Sequence, residues 1–233
     1  MNLEIPWWID TFRKTPGAFS VSEALALYHA VKDNMDINIF HHVAIDLGSN
    51  IGKSSIPAIV ALSELGYEDF FYMCDPIFEP LNIKHPGCYW LDDPNFEKKT
   101  DAVLKILAPN VKTDTIGMYS TIFLKEYAGR FNYIMIDSGE HLMPLLEQEM
   151  FYIEKMVVPG TLLFLHDCGA QYVAPYEMYN KLGDEGGGWR KLDLHYPEIV
   201  EFVGKNQLEE GNQSWHCYNN VYSPAFVGGL IKL

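Results

Sequence analysis

The sequence predicts an α/β protein: a seven-stranded, mostly parallel sheet with helices on both faces and an antiparallel hairpin at its end. Three observations carry that expectation. Short apolar runs rich in β-branched and aromatic residues alternate through the middle of the chain with segments of helical period. Most of those runs end at or beside a carboxylate, where an open parallel sheet presents its ligand-binding rim. The last two runs, Trp189 to Leu194 and Phe226 to Leu233, are joined by a long polar and aromatic stretch and suit an antiparallel pair at one sheet edge.

In chain order, the first helix follows Ser20, which makes a capping box with Glu23; Ala24, Leu27, Tyr28 and Val31 repeat behind it at helical spacing. The first strand is Val43-Ala44-Ile45, ending at Asp46. A glycine-containing turn leads to a helix from about Ser54 to Leu65, with Pro57 in its first turn and Gly66 as its stop. The second strand, Phe70 to Cys74, ends at Asp75, and residues 76–94 read as a long irregular loop. A helix from about Asn95 to Leu107 puts Phe96, Thr100, Val103, Leu104 and Leu107 on one face. Three further strands, Val111 to Ile116, Tyr133 to Ile136 and Thr161 to Leu165, are separated by helices from about Thr121 to Tyr127 and from Pro144 to Met156.

The 233 residues are 48% hydrophobic and 14% aromatic, too apolar for a solvated, disordered chain. They read as an N-terminal helical segment, residues 1–40, followed by one domain over 41–233 that carries an insertion at about 195–224. Trp7, Trp8 and Phe12 in the N-terminal segment suit core packing, a homodimer contact or a lid. Lys and Arg number 17 against 31 Asp and Glu, a net charge of −14 that repels nucleic acid. No apolar run approaches the ~20 residues of a membrane helix, and no basic segment followed by an apolar one opens the chain. Cys74, Cys88, Cys168 and Cys217 are scattered, which suits a reducing compartment rather than a zinc site or a disulfide framework. The expectation is a cytoplasmic protein with neither a nucleic-acid nor a membrane partner.

The carboxyl ends of the strands bring together Asp46 with Gly48-Ser49-Asn50-Ile51-Gly52, then Asp75, Gly117 to Ser120, Asp137 to His141, and His166-Asp167. Gly48 and Gly52 allow a sharp turn and a close approach to a ligand. Gly52-Lys53-Ser54 is similar to the end of a P-loop, but Leu47 stands where its first glycine belongs. A dinucleotide fingerprint fails at Asn50 and Lys53. The pattern that fits is acidic-x-Gly-x-x-x-Gly over Asp46 to Gly52, with Asp75 closing the next strand.

That pattern resembles the first motif of the class I S-adenosylmethionine (SAM)-dependent methyltransferases. The stretches Ile136-Asp137-Ser138-Gly139-Glu140-His141, Val158-Pro159-Gly160-Thr161 and Phe164-Leu165-His166-Asp167 are similar to one branch, the methyltransferase 24 family, over about residues 40–170 and the final strand. Members are mostly O-methyltransferases of small molecules, including sugars and other natural products. The resemblance implies a Rossmann-like fold and SAM as cofactor. It places Asp46, Gly48, Ser49, Asn50 and Gly52 under the ribose and methionine portion, and Asp75 on the ribose hydroxyls. Met118, Tyr119 and Ser120 then lie near the adenine, with Asp137 and Ser138 alongside. His141, His166 and Asp167 are the candidates for removing the acceptor's proton. Asp137 and Asp167, ending neighbouring strands, suit contact with a divalent cation such as Mg²⁺, the alternative to a histidine base. Ser138 lengthens the usual Asp-to-His spacing by one residue, and Cys168 stands where metal-using relatives carry Asp or Asn. A phosphoryl-transfer enzyme and a cofactor-binding protein without catalysis are the competing readings.

Overall fold

The computed structural model describes residues 4–15, 19–50, 52–76, 96–137, 142–168, 173–184, 188–194, 197–208 and 227–233. Residues 77–94 of the expected loop, together with Ile51, Ser138, His141 and Gly186-Gly187, lie outside them.

Seven strands form one sheet: β1 (Val43–Leu47), β2 (Phe70–Cys74), β3 (Lys112–Ile116), β4 (Phe131–Ile136), β5 (Val157–Leu165), β6 (Trp189–Lys191) and β7 (Gly228–Lys232). Their spatial order is β3-β2-β1-β4-β5-β7-β6. The first five run parallel, and β7 lies antiparallel between β5 and β6. The terminal hairpin expected from the sequence is thus real, with its second strand seated inside the sheet. The chain leaves β1 toward β2 and β3, then crosses back to β4 on the other side of β1. That reversal puts the topological switch point between the carboxyl ends of β1 and β4, where such sheets bind ligands.

Alternating residues of each central strand feed two cores. Ala44, Phe71, Met73, Tyr133, Met135, Leu162 and Phe164 face one core, with α1 (Ile9–Lys14), α2 (Val21–Asn34), α3 (Ser55–Glu64), α4 (Phe96–Leu107) and α8 (Pro197–Lys205). Ile45, Leu47, Cys74, Ile134, Ile136, Leu163 and Leu165 face the other, with α5 (Ser120–Glu126), α6 (Met143–Ile153) and α7 (Val173–Asp184). Burial on both faces explains why these strands read as continuous apolar runs.

The N-terminal segment is built into the first core. Trp8 and Phe12 are buried with α2 and α3, while Trp7 is 61% exposed and donates its indole N–H to Glu64 of α3. Tyr28 and Lys32 of α2 bind the same carboxylate, tying both helices down. Two helices went unread in the sequence. The expected insertion at about 195–224 contains α8, whose Ile199 and Val203 are buried against the first core, and α7 precedes β6. Strand β5 also starts earlier than expected, at Val157, because Gly160 (φ +90°) carries the chain past Asp36 and Ile39. Among the described residues, no helix is long and apolar enough to cross a membrane.

Candidate active site

Backbone hydrogen bonds continue past the strand ends and line up the site residues along the rim. Gly48 N–H donates to Cys74 O (2.8 Å), Asp75 N–H to Ile116 O (3.0 Å), Asp137 N–H to Leu47 O (2.8 Å) and His166 N–H to Ile136 O (2.9 Å). Four sequence candidates, Gly48, Asp75, Asp137 and His166, are thereby set side by side.

The turn after β1 needs left-handed backbone at Gly48 (φ +78°), Asn50 (φ +49°) and Gly52 (φ +80°). Asp75 braces it by accepting from Asn50 N–H at 2.9 Å. Sequence reasoning assigned Asp75 to a ligand alone; its other task is to hold the turn. At Gly52 the close approach comes from within the protein. A Cβ there would stand 2.8 Å from Thr100 Cγ2 and 3.1 Å from Met73 Sδ, so packing of α4 and β2 requires this glycine. Lys53 leaves the turn with Nζ over the Phe12 ring, 4.7 Å from its centroid, where no P-loop lysine would point.

Asp46 is fully buried. Its Oδ2 accepts from Ser54 (2.8 Å) and Ser55 (2.6 Å) at the start of α3. Desolvation outweighs those two hydroxyls and, with Asp137 and Asp75 nearby, pushes its carboxyl up to about 7. Asp46 Oδ1 and Ser49 Oγ are buried without a hydrogen-bond partner among the described residues, as in a turn shaped to meet polar ligand atoms.

At the β4 and β5 ends the carboxylates face a histidine ring instead. The buried His166 ring places Nδ1 3.1 Å from Asp137 Oδ1 and 3.5 Å from Asp167 Oδ2, and Nε2 3.4 Å from Glu23 Oε1. Burial alone would lower its basicity, but Asp137 first, then Asp167 and Glu23, raise it well above the ordinary histidine value. That direction favours the charged ring over the neutral one, which alone can accept a proton. Asp167 holds its carboxylate there from left-handed backbone (φ +55°), a conformation that concentrates at functional sites in non-glycine residues.

Ligand atoms of Asp137, His166 and Asp167 lie within 4.8 Å of one another, a spacing that a divalent cation could bridge. The donor set does not fit the expected Mg²⁺. That ion takes oxygen ligands in near-ideal octahedral array, and here an imidazole nitrogen stands between the two carboxylates.

At the third strand end, Cys74 Sγ lies 3.4 Å from Met118 O, and Tyr119 is exposed at the head of α5. The Ser120 hydroxyl turns inward and donates to the buried Glu149 of α6. Glu23, Ser54, Ser55 and Glu149 are the polar partners that the sequence did not single out for the site. For Glu23 the available signal was the capping box at Ser20.

The sequence matches no protein-family model and no curated protein. Solved structures do match. One is a chain assigned as a methyltransferase from Streptococcus mutans, in complex with S-adenosylhomocysteine (SAH), at 15% identity over 88% of this chain and 95% of that one, TM-score 0.50. Another is assigned as an O-methyltransferase from Klebsiella pneumoniae, at 12% identity over 82% and 83%, TM-score 0.50. A third is assigned as an rRNA methylase from Clostridium thermocellum, at 12% identity over 94% and 100%, TM-score 0.50. With its strand order, its antiparallel β7 and these neighbours, the chain has the Rossmann-like fold of the class I SAM-dependent methyltransferases.

Proposed function

We propose that the chain transfers a methyl group from SAM to an oxygen of a small polar molecule of sugar or natural-product type. The observation that carries this reading is the acidic rim around the glycine turn. Asp46, Asp75, Asp137 and Asp167 lie at four strand ends around the switch point, with the His166 ring set between the last two. Such a rim suits a nucleoside with free hydroxyls and a sulfonium centre, and it repels a polyphosphate. The direction of Lys53 toward Phe12 also disfavours phosphoryl transfer. SAM, when bound, supplies an electrophilic methyl group on sulfur.

The chain's own residues do the rest. The turn from Gly48 to Gly52 and the Asp75 carboxylate hold the ribose, since a carboxylate accepts from both hydroxyls in a charge-assisted pair. Met118, Tyr119 and the start of α5 flank the base, and Asp137 with Ser138 borders the methyl-donor side. Proton removal from the acceptor falls to Asp167 or His141. The His166 imidazolium favours the ionised acceptor oxygen through its fixed charge, without accepting the proton itself. Positioning for in-line attack supplies much of the rate. A nucleic-acid acceptor, suggested by the rRNA methylase neighbour, is disfavoured by the net charge of −14.

The test is transfer of labelled methyl from SAM to a panel of sugars, phenols and RNA, with EDTA and with added Mg²⁺. O-methylated small molecules formed in EDTA are the expected result. Methylated RNA, or turnover only with Mg²⁺, would overturn the corresponding part of the reading. SAH binding with no turnover on any acceptor would favour the cofactor-binding alternative.

A further inference from the structure

Glu23 is engaged twice. It sits in the first turn of α2, where its Oε2 accepts from Ser20 N–H at 2.8 Å while Ser20 Oγ accepts from Glu23 N–H at 3.2 Å, a complete capping box. Capping makes no demand for burial, yet this carboxylate is buried. Its second oxygen explains why: Oε1 lies 3.4 Å from Nε2 of His166, on the side of the ring opposite Asp137. The Phe19 ring, just ahead of the cap, lies over the imidazole with centroids 5.0 Å apart. Both ring nitrogens of His166 therefore face carboxylate oxygens: Nδ1 is hydrogen-bonded to Asp137, while Nε2 makes no hydrogen bond among the described residues and has Glu23 Oε1 set against it. Burial raises the Glu23 carboxyl, and His166 together with the Ser20 cap brings it below its ordinary value.

We propose that Glu23 is a positioning residue for methyl transfer: its Oε1 fixes the His166 ring so that Nδ1 stays turned to Asp137 and Asp167, and helix α2 thereby sets the geometry of the site floor. The proposal rests on the methyltransferase reading. It makes the N-terminal segment part of the active site by way of one side chain, although that segment contributes no strand to the sheet.

Two variants separate the two tasks of Glu23. Glu23→Gln keeps an acceptor for Ser20 N–H and the cap, but no longer offers His166 a charged partner. Ser20→Ala removes the cap hydroxyl and leaves the carboxylate facing the ring. The readouts on the full chain are Tm, SAH affinity by calorimetry, kcat and KM for transfer, and the ring N–H signals of His166 in ¹⁵N-labelled protein. Glu23→Gln is expected to lower kcat about 10-fold or more with SAH affinity within about two-fold, and to shift or abolish the Nε2–H signal. Ser20→Ala is expected to lower Tm while kcat stays within about two-fold. Equal losses of kcat in the two variants, or an unchanged ring signal in Glu23→Gln, would overturn the proposal. A wild type that binds no SAH would overturn the reading beneath it, whereas SAH-binding protein whose turnover ignores Glu23→Gln would overturn the proposal alone.

Discussion

Asp46 and the pair Asp137–Asp167 sit on neighbouring strands of the same rim, and the protein neutralises them in opposite ways. Around Asp46 it supplies two serine hydroxyls and no cation, so burial dominates and the carboxyl takes up a proton near neutral pH. Around Asp137, Asp167 and Glu23 it supplies one buried histidine ring, and the surrounding carboxylates raise the basicity of that ring. The difference marks two kinds of work. On the proposed function, a carboxylic acid held by α3 anchors the glycine turn, while the cluster of His166 among three carboxylates forms the floor where a cationic methyl donor and an ionising hydroxyl would meet.

The comparison is broken most directly at its charged side. His166→Gln leaves three carboxylates without their cation, and removal of one partner from a buried ion pair costs about 3–5 kcal/mol. The expected drop in Tm is roughly 10 °C for a chain of this size. A loss below about 1 kcal/mol, measured by denaturant unfolding, would mean that the cluster is more hydrated than its burial indicates.

The Asp46 side is sharpened by pH. Its folded value of about 7 lies above the ordinary 3.8, so the folded state binds the proton more tightly. The stability this contributes is present below about pH 4 and is lost as pH rises toward 7, by up to about 4 kcal/mol in total. Asp46→Asn mimics the protonated acid and still accepts from Ser54 and Ser55. The variant is expected to match wild type near pH 4 and to exceed its stability at pH 8. Parallel pH profiles for the two proteins would show that Asp46 stays ionised.

A smaller effect separates packing from ligand approach in the turn. Gly52→Ala places a Cβ against Thr100 at a left-handed φ, for a loss of about 1–3 kcal/mol. Thr100→Ser removes the opposing methyl and is expected to restore part of that stability in the double variant. No restoration, together with weakened SAH binding, would return Gly52 to the ligand.

The parts of this molecule legible in the sequence were those fixed by local rules. The capping box at Ser20, the apolar runs ending in Asp46, Asp75 and Asp137, and the Gly48–Gly52 turn follow from spacing within a few residues, and the sheet follows from their alternation. The missed parts depend on partners distant in sequence. Glu23 reads as a cap until His166 is brought to it, and nothing near Ser120 in the sequence announces Glu149 as the acceptor of its hydroxyl. Gly52 reads as open to a cofactor because Thr100 belongs to a helix that the turn itself does not announce. Helix α8 carried its own signal, Pro197 at the start with Ile199, Phe202 and Val203 behind it, but charged and aromatic neighbours hid the period.

The central claim is that the rim around Asp75 holds an adenosyl cofactor, and SAH calorimetry on wild type and Asp75→Ala tests it most directly. The account predicts one SAH site in the wild type, no competition from Mg-ATP, and a loss of about 1.5–3 kcal/mol in the variant, roughly 10- to 150-fold in Kd. Absence of SAH binding to the wild type, or equal affinity in Asp75→Ala, would contradict it.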